Sequence, residues 1–316
     1  MAPDSRRVGA AVDLGSTTVH LLVASVVNHR IEPILDESVF LGLGEALEGQ
    51  GSLGDKGRLA LVDVLFRYAS LGREAGAENV TFIGTEPLRR LKDATRIAYE
   101  VEQATGVRLH ILSHEEEALL VLVGVTEGRP VVHDLLVVDV GGGSTELIFV
   151  GPDQRAIAAG MRVGATKLTG RFVSGDPLRQ SELADLRSAA ADALSVAPTF
   201  RPVEIVLVGG PASNLLKVVP DGLASRRLTS ADLDFAFQLV VAESSEGIVA
   251  RYGLRPARAR ILGAGAALIE AIMAVYGIPE VRVSDGGIRE GTVLAVSHAG
   301  PAWRDQLERL AHGWVA

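Results

Sequence analysis

Apolar residues along this chain fall into two rhythms that alternate. Residues 8–14 and 18–26 are almost continuous apolar runs split by a short polar turn, the pattern of strands buried on both faces. A third strand is predicted at 31–40. Over 55–75 the spacing changes to that of a helix, with Leu59, Leu61, Val62, Leu65, Phe66 and Tyr68 forming one stripe. A strand at 80–84, a helix at 93–105, a strand at 108–112 and a helix at 115–125 follow. Glu127-Gly128-Arg129-Pro130 then breaks the pattern, and it starts again. The second half predicts strands at 135–140, 145–151 and 156–160, helices at 164–173 and 179–195, and a strand at 203–208. Helices near 230–247 and 259–276, a strand at 280–284 and a helix near 287–298 complete it. Residues 301–314 read as a last helix that docks back on the first domain.

Strands alternating with helices in both halves predict an α/β protein of two domains, 1–128 and 129–300. Each sheet is expected to be mostly parallel, with an antiparallel hairpin at its start. A length of 316 residues suits two domains, and 47% hydrophobic residues suffice for large cores. Aromatics make up only 4%, so those cores must be built from Ala, Val, Leu and Ile.

The two hairpins carry the same chemistry. Asp13 ends one strand and precedes Gly15-Ser16-Thr17-Thr18; Asp139 ends another and precedes Gly141-Gly142-Gly143-Ser144-Thr145. A glycine turn lets backbone N–H groups converge on an anion, because no Cβ blocks close approach. An aspartate beside it can hold Mg²⁺ directly or through water. One such turn is most simply a turn; the same device opening both halves points to duplicated phosphate-binding hairpins. Glu146 follows the second turn directly and is placed to meet a metal or an attacking water.

Ser113-His114-Glu115-Glu116-Glu117 starts a helix. Ser113 and Glu116 form a capping box, and Glu115 suits the positive helix end. Glu117 has no such structural duty. Beside the apolar Leu120 and Val121, its pKa is expected to be raised, which suits a general base. Arg89 and Arg90 follow the 80–84 strand; Arg89 is the phosphate ligand by expectation and Arg90 a surface residue. Gly209-Gly210 before Pro211, and Asp285-Gly286-Gly287 before Ile288, are turns that open helices and expose N–H groups to phosphate. Lys167 and Arg171, one helical turn apart, either line a channel or are solvated. His20 and His114 are expected to be structural, since the histidines show no ligand spacing.

A net charge of −8 argues against non-specific nucleic-acid binding. The absence of cysteine excludes a thiol nucleophile and cysteine-bound zinc. Arg6-Arg7 precede an apolar run that Asp13 interrupts at once, so no signal peptide is expected, and no apolar run has membrane-spanning length. A cytoplasmic protein without a membrane partner is the expectation.

Taken in order, VDLGS, GTEPLRR at 84–90, LSHEEEA, VVDVGGGSTEL, VGATKLTGRF at 163–172 and SDGGIREG at 284–291 resemble the exopolyphosphatase / guanosine pentaphosphate phosphohydrolase (Ppx/GppA phosphatase) family of the actin / sugar kinase / Hsp70 superfamily. The resemblance runs from about residue 8 to 298. It implies two actin-like (ribonuclease H-like) domains with mixed sheets flanked by helices, and an active site in the interdomain cleft. It assigns Glu117 as catalytic base and Arg89 as phosphate-contacting arginine. Asp13 and Asp139 become metal-associated, and Glu146 orients metal and water. Gly15, Ser16, Thr17, Gly141, Gly142, Gly143, Ser144, Gly209, Gly210 and Lys167 become the phosphate-binding set. Mg²⁺ is the implied ion, with Mn²⁺ and a monovalent cation such as K⁺ left open, and a homodimer the implied assembly.

The chain departs from that family at three places. Thr17 stands where the family shows Asn, Leu119 where an arginine often follows the E-E-A segment, and Gly-Gly-Pro-Ala-Ser-Asn where a Gly-Thr-rich turn is usual. The activity implied is release of the terminal phosphate from inorganic polyphosphate; short chains are expected to be preferred, because a net charge of −8 repels a long polyanion. Guanosine pentaphosphate hydrolysis is the alternative substrate. A phosphotransferase and a polyphosphate- or nucleotide-sensing protein of low turnover are the other classes considered.

Overall fold

The computed structural model describes residues 6–16, 18–44, 51–152 and 155–314. The chain divides into two compact units, Met1–Pro130 with Gly286–Ala316, and Val131–Asp285.

The first unit is built on a five-stranded mixed sheet in the order β3-β2-β1-β4-β5. Its strands are β1 (Arg7–Leu14), β2 (Thr18–Val27), β3 (Arg30–Phe40), β4 (Asn79–Gly84) and β5 (Leu109–Ile111). β1, β2 and β3 form an antiparallel meander, while β4 joins β1 and β5 joins β4 in parallel. Strand periodicity sorts β1 into two faces. Ala10, Val12 and Leu14 pack with Leu61, Leu65 and Tyr68 of helix Gly54–Glu74 and with Ile97 and Val101 of helix Ala94–Thr105. Ala11 faces the other way, in a small cluster with Leu22, Ala24 and Val293. Helix Ile288–Ala299, which carries Val293, therefore belongs to this unit.

That placement corrects the boundary expected at residue 300. Residues 286–300 pack on the first sheet, and the reason is backbone contact between two helices. A Cβ on Gly291 would lie 1.8 Å from the Leu120 carbonyl oxygen, and one on Gly124 would lie 2.2 Å from the Gly287 oxygen. The first unit also runs to Pro130 rather than 128. The expected helix at 301–314 is instead two 3-10 turns, Gly300–Ala302 and Arg304–Gln306, followed by helix Leu307–Ala311. Trp303 nonetheless anchors the segment, only 3% exposed and edge-on to His110.

The second unit repeats the plan with six strands in the order β10-β11-β9-β6-β7-β8. β6 (Leu135–Val140), β7 (Thr145–Val150) and β8 (Ile157–Met161) are the meander. β9 (Glu204–Val208) and β11 (Glu280–Val283) extend it in parallel, and β10 (Arg227–Thr229) closes the edge antiparallel. Leu136, Val138 and Val140 face a core shared with helices Gln180–Leu194 and Leu262–Tyr276. Strand β10 was not expected, because three residues give too short a pattern to read. The helix expected at 230–247 is two, Ser230–Ala242 and Ser245–Tyr252. Ser244 divides them by accepting a hydrogen bond from Gly247 N–H, a cap that starts the second helix.

Both sheets are mixed, so the antiparallel share exceeds the mostly parallel expectation. The duplicated hairpin is a structural fact. Gly15 N–H donates to the Thr18 carbonyl at 3.1 Å, and Gly141 N–H donates to the Ser144 carbonyl at 2.9 Å. One turn closure thus follows an aspartate-ended strand in each unit.

Candidate functional site

In the second unit the glycine turn is built from behind. Ala165 N–H donates to the Gly141 carbonyl, and Thr166 and Lys167 N–H groups donate to the Gly142 carbonyl, at 2.9–3.1 Å. Helix Ala165–Phe172 thereby ties down the turn's carbonyls with its own first turn. Gly164 permits this approach, since a Cβ there would lie 2.5 Å from the Gly142 carbonyl carbon. Among the described residues, the half-buried N–H groups of Gly142, Gly143 and Ser144 receive no protein acceptor. Successive backbone N–H groups in a turn are of the kind that bind anions. Lys167 reaches over it, its Nζ 3.9 Å from where a Cβ on Gly143 would be.

Asp139 lies at the end of β6 next to β9, directly opposite Val208. The chain leaves β9 through Gly209, whose φ of 94° only glycine adopts freely. A Cβ at 209 would stand 2.6 Å from Asp139 Oδ1. Gly210 opens helix Gly210–Val218, and a Cβ on it would meet Arg258 Nη1 at 2.7 Å. Glu146 is the cross-strand partner of Asp139 on β7, so both side chains rise from one face of the sheet. The second unit thus gathers Asp139, Glu146, the 141–144 turn, Lys167, Gly209 and Gly210. Arg171 is elsewhere occupied, its guanidinium 5.0 Å above the Phe172 ring.

Arg258 is a residue the sequence reading missed. It is half-buried and has no carboxylate partner among the described residues. Burial, then the charge of Arg255, pushes its pKa down, although an arginine keeps its proton at neutral pH. A guanidinium can pair with a phosphate in two-pronged fashion. The pattern of residues 254–260 offered one signal, three arginines around a proline at a helix start.

In the first unit the C-terminal ends of β1, β4 and β5 collect the other residues. Asp13 pairs with Ile83 on β4 and with His20 on β2. His20 keeps a local role, with Nε2 2.5 Å from Thr18 Oγ1. Gly15 and Ser16 form the turn, and the Ser16 carbonyl accepts from Gly44 N–H at 2.7 Å. Thr17 lies outside the described residues.

Helix Glu86–Arg90 follows β4 and aims Arg89 at helix His114–Thr126. Arg89 Nη1 donates to Leu112 O and to Glu117 Oε2, both at 2.8 Å. Glu117 Oε1 has no protein partner among the described residues. The expected apolar setting for Glu117 is therefore not what surrounds its carboxylate; a guanidinium does. The capping box stands as expected, with Ser113 N–H donating to Glu116 Oε2 at 2.7 Å and Glu116 N–H to Ser113 Oγ at 3.1 Å. Arg304 also grips Glu116 and holds its pKa below the usual carboxylate range. Arg90 pairs with Glu86 on the surface at 2.6 Å.

Arg289 and Glu290 open the helix that covers Ala11. Arg289 donates to Asp36 at 2.9 Å. Its burial disfavours the charge, but Glu290, Asp36 and Asp13 outweigh that and raise its pKa. Burial pushes the Glu290 carboxyl up.

Carboxylates at the ends of β1 and β6 give hard oxygen donors. Among the described residues no group of three or more acidic, histidine or cysteine side chains gathers as a metal cage. Mg²⁺ is bound by one or two carboxylates, with waters and phosphate oxygens filling the rest, so a carboxylate at either strand end is a donor of the chemistry such an ion takes.

Comparison with known proteins places the chain in a family. The model of the Ppx/GppA phosphatase family fits residues 22–299. A putative exopolyphosphatase of Haemophilus influenzae is 26% identical over 294 residues, covering 91% of this chain and 90% of that protein. Exopolyphosphatase 1 of Mycobacterium tuberculosis is 26% identical over 309 residues, with 90% and 86% covered. In fold, the chain is similar to the Aquifex aeolicus Ppx/GppA family member, with a TM-score of 0.81, 24% identity and coverage of 94% and 99%. An exopolyphosphatase from Cytophaga hutchinsonii superposes with a TM-score of 0.74 at 22% identity, covering 93% and 98%.

Proposed function

Since the chain belongs to the Ppx/GppA phosphatase family and is a phosphoanhydride hydrolase, we propose that it removes the terminal phosphate of inorganic polyphosphate, short chains by preference. The observation that carries this reading is the 141–144 turn, with its unspent N–H groups beside Lys167 in the unit that also sets Arg258 against Gly210. Such a surface binds a chain of phosphates and makes no demand on a base or sugar. Relatives named exopolyphosphatase support it.

The residues divide the work by chemistry. The turn's N–H groups, Lys167 and Arg258 bind phosphate oxygens and stabilise charge as it shifts during phosphoryl transfer. In the first unit Arg89, which donates to Glu117, offers its remaining N–H groups to a phosphate oxygen. Glu117 takes the proton of the attacking water through Oε1, the oxygen Arg89 leaves open. Glu146, the cross-strand partner of Asp139, orients water or metal at the turn of the second unit. Asp13 and Asp139, each in its own unit, are the carboxylates that would hold Mg²⁺, for which Mn²⁺ is a substitute; when bound, the ion neutralises phosphate charge. A homodimer in the cytoplasm completes the proposal, and light scattering measures the assembly.

The decisive experiment is phosphate release from short polyphosphate, long polyphosphate, guanosine pentaphosphate and ATP, each with and without Mg²⁺. Short polyphosphate should be turned over fastest. A higher kcat/KM for guanosine pentaphosphate would replace this substrate with the nucleotide. A rise in kcat/KM with chain length into the hundreds would defeat the short-chain preference.

A further inference from the structure

Arg89 is held on three sides, and one support is a residue to which the sequence reading gave no chemical role. Nη1 is spent on Leu112 O and Glu117 Oε2. Nη2 faces His114 Nδ1 at 2.9 Å, with Nε2 of the same ring at 3.4 Å. A guanidinium can only donate, so in this contact the imidazole is the acceptor, and Nδ1 is the nearer ring nitrogen. His114 is the first residue of its helix, one position after the Ser113 cap.

The geometry has a consequence for Glu117. Arginine and carboxylate prefer a two-pronged pairing in which both guanidinium nitrogens meet both oxygens. Here only Nη1 meets Glu117, and only through Oε2. The second nitrogen is kept away by His114. With His114 gone, Nη2 would turn onto Oε1 and close the fork, taking the oxygen needed by water and removing Arg89 from phosphate.

We infer that His114 is a positioning residue that holds Arg89 in a one-pronged pairing with Glu117, so that the guanidinium and the carboxylate both stay available to the substrate. This rests on the reading of Arg89 as phosphate ligand and Glu117 as base, and it adds a determinant of that pair's geometry.

The test compares His114→Ala with His114→Gln, whose side-chain oxygen can still accept from Arg89. Steady-state phosphate release from tripolyphosphate and thermal melting are measured for each. His114→Ala should lose roughly 10- to 100-fold in kcat, the usual effect of misplacing a reacting group by about an ångström. His114→Gln should recover most of it, and both should melt with the parent. Nitrogen-detected NMR of the parent should show Nδ1 as the unprotonated ring nitrogen, a signature that changes in Arg89→Gln. Equal activity of both His114 variants, or Nδ1 carrying the proton, would overturn the inference. A parent that releases no phosphate, or an Arg89→Gln variant with parental turnover, would overturn the underlying reading instead.

Discussion

Gly209 and Asp139 are in direct contact: with φ at 94°, a Cβ on residue 209 would lie 2.6 Å from Asp139 Oδ1 and 2.5 Å from the Val140 carbonyl. Gly209→Ala should therefore act twice. It strains the backbone by about 1–3 kcal/mol and it pushes the carboxylate aside. The expected result is a lower unfolding midpoint in urea together with a higher Mg²⁺ requirement. A variant with unchanged Mg²⁺ dependence would show that Asp139 tolerates displacement.

Glu117→Gln should keep the fold and the binding of polyphosphate. Its turnover should fall on the order of 10²–10⁴-fold, the usual contribution of a positioned base. Equilibrium dialysis and single-turnover hydrolysis separate the two, and wild-type turnover would remove Glu117 from its assigned role.

Lys167→Gln deletes the cation over the 141–144 turn, and Arg258→Gln the one against Gly210. Hydrogen bonds to charged groups contribute about 1.5–3 kcal/mol, so kcat/KM should drop roughly 10- to 100-fold for each. Raising the salt should narrow the gap, because screening weakens what the parent still has. If Arg258→Gln behaves like the parent at low salt, its guanidinium only fills space against Gly210.

Asp13→Asn and Asp139→Asn should both shift the Mg²⁺ dependence of phosphate release to higher concentration, since each removes a carboxylate charge. Titrations of the metal at fixed substrate provide the comparison. Parental curves for both variants would confine the two aspartates to turn formation.

Acid stability should depend on Glu182. Its Oε1 accepts from Ser174 N–H and Oγ and from Gly175 N–H at 2.8–3.0 Å, and Oε2 accepts from Arg179 N–H at 3.0 Å. These bonds lower its pKa to about 2 from 4.5. A lowered folded-state pKa stabilises above the unfolded value and loses that contribution as pH falls through the folded one. The parent should exceed Glu182→Gln in stability above about pH 4.5, with the gap closing toward pH 2. Urea denaturation at pH 7, 4 and 3 follows the gap; a constant difference would mean Glu182 acts by shape alone.

The sequence by itself determined the parts whose signal is local. The hairpins at Asp13 and Asp139, the Ser113–Glu116 cap and the helix carrying Glu117 were legible because strand alternation, turn glycines and capping boxes are written within a few adjacent residues. Only the tertiary structure decided what meets across long separations. It assigned 286–300 to the first unit through Gly291 on Leu120, set Arg89 against Glu117 and His114, and brought Arg258 onto Gly210. These depend on which helix faces approach and on which guanidinium lacks a carboxylate. Periodicity reports which face of an element is buried and says nothing of the element that buries it.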